Sequence, residues 1–384
     1  MPRVKKGTII ERDGKIYARV RYIGADGKTH AKWRKAKNRT DADKKIKELL
    51  RALDDRGEQG IEGDGITFEQ LANKYEKRRL IPVRLKDGRK KRGLKSLATP
   101  KGQIKILRAF FGKTLVRNIT HADVEEYKQT RLDTPVVIGE GENQRTRERA
   151  IASVNRELAL LRAIFKYAVR QNWLVRSPFD LGEPLISAAD ETRRERVLSR
   201  DEEKRLLTVC TGRRAHLKPL LIAALDTAAR RGELFKLLWA DVNFGGRIIV
   251  IRATNTKTAR GRMVGLTQRL YDELVKLYER SDKQPTSLVF GLKVTVKTSF
   301  AGACKDAGIT DFRFHDLRHT GITRLVQAGT PANFAMSISG HTQYSTFARY
   351  VNVEVSAAQQ AAELLDRLNA PKVTAAVEIA KPLN

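Results

Sequence analysis

The spacing of apolar positions changes along the chain, and the changes mark its parts. From Lys15 to Tyr22 the pattern alternates, with Ile16, Ala18, Val20 and Tyr22 set against Lys15, Tyr17, Arg19 and Arg21. That is the period of a strand with one buried face. A Gly24-Ala25-Asp26-Gly27 turn follows, after which Thr29, Ala31 and Trp33 alternate with His30, Lys32 and Arg34. The expectation is a hairpin with one apolar and one basic face. Behind Thr40, a candidate cap, Ala42, Ile46, Leu49, Leu50 and Leu53 recur at helical spacing. Sheet and helix then bury their apolar sides together. The basic side, Lys15, Arg19, Arg21, Lys32 and Arg34, is left outward, either as a nucleic-acid contact or simply solvated.

Residues 57–65 are polar and glycine-rich and read as a linker. Helical spacing resumes at 68–79, 101–111, 122–131 (behind a Thr120 cap) and 149–170, the last with Ile151, Val154, Leu158, Leu161 and Phe165 on one stripe. The basic run 86–92 is either a phosphate contact or a solvated loop, and 134–144, with Gly139 and Gly141, reads as a mobile loop. Ser177-Pro178 opens another boundary, and Ser199-Arg200-Asp201-Glu202 is a capping box. Helical segments are expected at 217–229 and 234–239, and short paired strands at 248–251 and 263–266 across a turn at 256–261. The remainder is helical through an amphipathic segment at 355–368. The predicted architecture is multidomain α+β. A small three-stranded sheet plus helix (1–56) is followed by an all-α domain (66–176) and a linker (177–196). A mainly α domain with a small antiparallel sheet (197–369) and a disordered tail (370–384) complete it.

Charge narrows the choice of partner. Lys and Arg number 75 against 44 Asp and Glu, a formal net charge of +31, and residues 1–55 alone carry 17 against 8. Such an excess calls for a polyanion, most commonly nucleic acid; a ribosome-associated basic protein is the plainer alternative. Only Cys210 and Cys304 are present, which argues against a disulfide framework or a cysteine zinc module. No apolar run approaches the roughly 20 residues of a membrane span or the length of a signal peptide. A cytoplasmic, nucleoid-associated protein without a membrane partner is expected.

Of six histidines, His315, His319 and His341 fall in one short C-terminal segment with Arg318 and Tyr350. Arginine matches phosphate oxygens with a fork of donors, histidine moves protons near neutral pH, and a tyrosine hydroxyl can act as a nucleophile. His315 and Arg318, three apart, share a helix face. Arg230 in Thr227-Ala228-Ala229-Arg230-Arg231-Gly232-Glu233-Leu234 and Lys257 in Thr256-Lys257-Thr258 add two cations. Each has a plainer use: Arg230 in a salt bridge with Glu233, Lys257 as a surface lysine, Tyr350 as a core residue. His315 and His319 also have the i, i+4 spacing of helix metal ligands, but Asp316 follows where zinc hydrolases place Glu, so no metal is expected.

Together and in this order the segments resemble the tyrosine recombinases, the phage integrase family. Thr227–Leu234 is similar to the box around that family's first arginine, Thr256-Lys257-Thr258 to its lysine hairpin, and His315-Asp316-Leu317-Arg318-His319-Thr320 to its central box. Gly340-His341-Thr342 through Tyr350 is similar to the final box, whose spacing favours Tyr350 over Tyr344. Ser153-Val154-Asn155-Arg156-Glu157-Leu158 through Trp173 resembles the last helix of a core-binding domain, which makes Arg156 a DNA contact, and the N-terminal module resembles an arm-binding domain. Ala228-Ala229 stand where Gly-Leu is usual, Gly265 where proline is, and Ser339 where leucine is. The resemblance implies a site-specific integrase of a phage or integrative element that forms a 3′-phosphotyrosine on Tyr350 without a cofactor. In it Arg230, Arg318 and His341 hold the phosphate, Lys257 protonates the leaving oxygen, His315 accepts the tyrosine proton, and Glu233 orients Arg230. Implied partners are double-stranded DNA at core and arm sites, three further copies in a homo-tetramer, and a small directionality or DNA-bending factor. The alternatives are a housekeeping recombinase for dimer resolution or inversion, and a catalytically silent DNA-binding regulator.

Overall fold

The computed structural model describes residues 6–86, 89–94, 96–192, 194–256, 260–292 and 295–351, with four isolated positions beyond. Lys257, nearly all of the expected 355–368 helix and the tail after 370 lie outside the described residues. The chain divides near residue 193 into two compact units.

The first unit opens with three antiparallel strands, β1 (Lys6–Arg12), β2 (Lys15–Ile23) and β3 (Thr29–Ala36), in that spatial order. The register corrects the expected basic face. Val20 lies opposite Lys32 and Ala18 opposite Arg34, while Arg19 lies opposite Trp33. Residues directly opposed in a ladder share a face, so Lys32 and Arg34 belong to the side of the buried Ala18 and Val20. The other side presents Lys15, Tyr17, Arg19, Arg21, Trp33 and Lys35. Alternation along each strand was read correctly; the parity across the turn, fixed by Ile23 pairing with Thr29, reverses the second strand.

Helix α1 (Arg39–Asp64) covers the inner side. Its cap is Asn38, not Thr40: the Asn38 side chain accepts the Asp41 N–H at 2.8 Å. The 57–65 stretch is no linker, because α1 kinks at Gly57 and continues to Asp64. The glycines there serve close packing. A Cβ on Gly63 would fall 2.2 Å from the Trp173 carbonyl oxygen; Arg56 donates to that carbonyl at 3.1 Å, and Trp173 Nε1 donates to Glu62 at 3.3 Å. Buried Asp64 gathers Arg34 and, at 2.9 Å, Arg117.

Helix α2 (Phe68–Arg79) starts at a Thr67–Gln70 capping box. The basic run forms a small ladder of β4 (Arg84–Lys86) and β5 (Arg89–Arg92). Next come α3 (Ala98–Phe111) and α4 (His121–Asp133), the latter capped by Thr120. The expected 134–144 loop contains β6 (Val136–Ile138), which pairs with β7 (Arg145–Arg147). Helix α5 (Ile151–Arg170) buries Val154, Leu158, Leu161 and Phe165 against Phe68, Leu107, Phe111 and Tyr127. Its buried Glu157 accepts Tyr127 at 2.6 Å and Arg131 at 2.8 and 2.9 Å, so a charge inside the helical core is fully bonded. Arg156 points outward, its Nη1 returning to the Ala152 carbonyl at 2.6 Å. The 177–191 stretch packs back on α5, where Asn155 donates to Ser187 O at 2.8 Å.

The second unit begins with α6 (Arg200–Thr208), which carries the expected Ser199–Glu202 box, followed by α7 (Leu217–Thr227) and α8 (Arg231–Leu234). A sheet of β8 (Val242–Asn243), β9 (Ile248–Ile251) and β10 (Arg262–Gly265) adds one strand to the two expected. Helices α9 (Gln268–Glu279), α10 (Lys297–Asp306), α11 (Phe314–Gln327), α12 (Ala332–Ser339) and α13 (Tyr344–Phe347) complete it, and a 3₁₀ turn, Ala348–Tyr350, ends the described run. Helices α7 and α11 pack at close range: a Cβ on Gly321 would lie 2.3 Å from Leu225 O. No helix among the described residues is long and apolar enough to cross a membrane.

Candidate active site

The site grows from the end of α7. Thr227 Oγ1 donates to Ala223 O and accepts the Ala229 N–H at 3.2 Å, which turns the chain through Ala228 at φ 50°. The left-handed region disfavours a Cβ, and this is the position where the resembled family has glycine. The turn aims the Ala228 carbonyl at Arg318, whose Nη1 donates to it at 2.6 Å. It also starts α8, so that Glu233 accepts the Arg230 N–H at 3.0 Å and Arg230 Nη1 at 2.9 Å.

Glu233 is 2% exposed and takes a third donor, Arg262 Nη2 at 2.6 Å. Burial alone would raise its pKa, but Arg262 and Arg230 outweigh burial and hold it below the usual range. Arg262, on β10, also donates Nε to Ile338 O at 2.6 Å. One guanidinium thus ties the strand after the lysine hairpin to Glu233 and to the end of α12. Sequence reasoning missed it. The available signal was alternation: Arg262 shares its strand face with buried Val264, and a cation on a buried face needs a partner.

The central box divides by helix face. Asp316, Leu317 and Thr320 turn inward: Asp316 accepts Arg194 Nε at 2.9 Å and the Arg313 N–H at 2.8 Å, Leu317 is in the core, and Thr320 Oγ1 accepts the Leu198 N–H at 3.0 Å. His315, Arg318 and His319 turn toward the site. Arg318 is 4% exposed, and its Nη2 has no protein partner among the described residues. Burial and then the neighbouring Arg230 pull its pKa down to about 9.

Tyr350 is 7% exposed, whereas the competing Tyr344 is 55% exposed. Tyr350 sits among rings, with centroids 5.6 Å from His319 and 5.9 Å from His341, while His315 lies 5.2 Å beyond His319. Burial raises the phenol pKa, and Arg349, Arg318 and Arg230 oppose the rise. The imidazole on its hydroxyl is His319, with Nδ1 at 2.6 Å; the expected acceptor, His315, is one ring away. Loss of solvent, followed by Arg318, lowers the pKa of both His315 and His341, the latter to about 4. Ser339 Oγ lies 2.8 Å from His341 Nδ1 and donates to Ala335 O at 2.7 Å. The departure from leucine therefore reaches the chemistry and not only the packing.

Arg230, Glu233, His315, Arg318, His341 and Tyr350 thus converge, and Lys257 lies outside the described residues next to the Thr256 end of the hairpin. Two arginines, a buried phenol and three imidazoles with one fully engaged carboxylate form a site for an anion attacked by an oxygen nucleophile. A cavity of about 590 Å³ continues beside it, with an apolar floor at Val296, Phe300 and Phe312 and a rim that includes Arg230, Lys297 and Arg313. The N-terminal set separates. Arg19 Nε reaches Thr8 Oγ1 at 3.3 Å and its guanidinium lies 5.3 Å from the exposed Trp33 ring, while Arg34 is consumed by Glu48 and Asp64.

Residues 196–356 match the model of the phage integrase family. The integrase of Salmonella phage P22 is 27% identical over 234 residues, which is 57% of this chain and 58% of that protein. A shufflon-specific DNA recombinase of Escherichia coli is 30% identical over 244 residues, 61% of this chain and 58% of that protein. The chain therefore spans 58% of the length of each of these two relatives. Among solved structures, the Tn1549 transposon integrase in complex with a circular intermediate DNA has the same fold, with a TM-score of 0.62 at 18% identity over 78% of this chain and 100% of that one.

Proposed function

We propose that this chain, which carries a phage integrase family domain over residues 196–356, is a site-specific DNA recombinase that cleaves and rejoins duplex DNA through Tyr350. The observation that carries the reading is the buried Tyr350 hydroxyl close to Arg318, a buried guanidinium whose Nη2 has no protein partner among the described residues. Tyr350 Oη attacks phosphorus, forming a 3′-phosphotyrosine and breaking the bond to the 5′-oxygen. Arg230 and Arg318 hold the non-bridging oxygens where charge grows, the kind of stabilisation that dominates phosphoryl transfer. His341 adds a hydrogen bond, and Lys257 protonates the departing oxygen. A 5′-hydroxyl from another duplex reverses the step, so the bond energy is kept and no nucleotide is consumed. Exchange between two duplexes needs four strand cuts. One nucleophile per chain then implies four copies.

The outward face of Lys15, Tyr17, Arg19, Arg21, Trp33 and Lys35 joins stacking rings to cations, a composition suited to DNA. It supports an integrase with separate arm sites over a housekeeping recombinase without such a module. The expected roles of Arg156, domain 66–176 and a small bending factor belong to the same reading.

The test is covalent capture on a nicked duplex made from the DNA flanking the gene. The wild type and Tyr344→Phe should give a protein–DNA adduct on denaturing gels, and Tyr350→Phe should give none while still binding. An adduct in Tyr350→Phe, or none with the wild type, would overturn the assignment.

A further inference from the structure

The imidazole nearest the nucleophile is one to which the recombinase reading gives no role. His319 Nδ1 lies 2.6 Å from the Tyr350 hydroxyl. Arg349 Nη2 is 2.9 Å from the same nitrogen and is also held by Arg194 O at 2.9 Å. Arg349 Nη2 also lies 3.2 Å from Nε2, so the guanidinium sits against both ring nitrogens and does not by itself select the tautomer. In the neutral ring, the tautomer that leaves Nδ1 unprotonated lets the phenol donate to it at 2.6 Å. The groups that act on the ring are Tyr350 and Arg349 from the terminal turn, His341 after α12, and His315, Arg318 and, by charge alone, the inward Asp316 from its own helix. Burial and then Arg349 keep it unprotonated, with its pKa near 4.

We propose that His319 is the group that aims the Tyr350 hydroxyl and takes its proton during strand cleavage. The proposal rests on the phosphotyrosine reading and adds the base that reading needs. As the Oη–P bond forms, the phenolic proton passes to His319 Nδ1. As the P–O5′ bond breaks, the departing oxygen keeps the bonding pair and takes its proton from the leaving-group side of the site, where Lys257 is assigned. The entering phosphodiester offsets Arg349 and Arg318, the cations that otherwise oppose an imidazolium here. His315 meets His319 edge-on, 5.2 Å between centroids, and has no hydrogen bond to the hydroxyl among the described residues.

The experiment compares wild type, His319→Ala and His319→Asn in single-turnover adduct formation. Each is run on an ordinary suicide duplex and on one whose scissile 5′-oxygen is replaced by sulfur, a leaving group that departs without protonation. Asparagine keeps an acceptor near the position of Nδ1 but cannot take a proton. Both variants should bind DNA and melt like the wild type, yet form adduct roughly 10²–10⁴-fold more slowly, the range for losing a general base. The sulfur substrate should not rescue them. Rates within a few fold of wild type in His319→Ala would overturn the proposal, as would full rescue by sulfur, which would place His319 on the leaving-group side. Wild-type speed in His319→Asn would reduce it to an acceptor that never takes the proton, and would overturn it too. Absence of adduct with the wild type on both substrates would instead overturn the phosphotyrosine reading itself.

Discussion

Arg34, largely covered, and Arg318, fully buried, are both guanidiniums withdrawn from solvent, and the two regions that hold them answer the charge in opposite ways. In the N-terminal module Arg34 meets Glu48 at 2.7 Å and Asp64, and Arg117 closes the cluster from the other side. The acid that acts on Arg318 is Glu233, already bonded to Arg230 and Arg262; what remains is the Ala228 carbonyl and an Nη2 with no protein partner among the described residues. The first arrangement is complete in itself and fixes a fold. The second costs stability, since desolvating a cation whose one acidic neighbour is already engaged is unfavourable, and a phosphodiester would offset that cost at the moment it binds. A buried arginine is thus a structural or a functional residue according to whether the protein supplies its anion.

The sharpest way to break this contrast is Arg318→Met. Strand cleavage should fall by roughly 10²–10³, the scale for one transition-state donor, while the melting temperature does not drop. A strongly destabilised variant would mean that Arg318 is structural after all. Arg34→Met should behave the other way, losing about 3 kcal/mol of unfolding free energy in denaturant titration because Glu48 and buried Asp64 lose a partner. A loss below about 1 kcal/mol would make the cluster ornamental.

Acid should separate the regions further. His319 and His341 have folded pKa values near 4, below the ordinary 6.5. The unfolded chain therefore binds more protons between those limits. Stability of the second unit should fall as pH drops from about 6.5 toward 4, with a slope of at most about 1.4 kcal/mol per pH unit for each ring, less because both keep some solvent. The double variant His319→Asn/His341→Asn should flatten the profile measured by thermal melts, and an unchanged profile would remove these rings as its source. The smallest effect concerns DNA. Arg19→Gln and Arg21→Gln should each flatten the log–log salt dependence of arm-site binding by roughly one unit. Lys32→Gln, on the inner face, should leave the slope alone; an equal effect from Lys32 would restore the face expected from alternation alone.

Much of this was legible in the chain. Helix 68–79, the Ser199 box and the shared helix face of His315 and Arg318 follow from spacing that local geometry alone determines. What escaped depends on contacts distant in sequence. The parity of β3 is set by a turn register that no single strand encodes. The glycines of 57–65 read as a hinge because Trp173, which needs them small, lies far along the chain. Arg262 looked like one more surface cation until Glu233 and the Ile338 carbonyl came to it. His319 shares with His315 a metal-ligand spacing that the sequence argued against, and nothing else local marks it; its partner is a tyrosine 31 residues away.

The contact between Gly63 and Trp173 bears on how one chain could search two DNA sites. A module on a slack tether explores a sphere whose radius grows as roughly 5–6 Å times the square root of linker length, which dilutes it. With α1 seated on the backbone of Trp173, the strands are instead carried at a fixed offset from α5. Once the helices dock, the local concentration of the aromatic face is high in one place and near zero elsewhere. If the strands and the helical domain contact separate DNA sites, as proposed above, the spacing between those sites becomes a quantity the protein measures, and a bulky residue at position 63 would cost it that ruler before it cost it the fold.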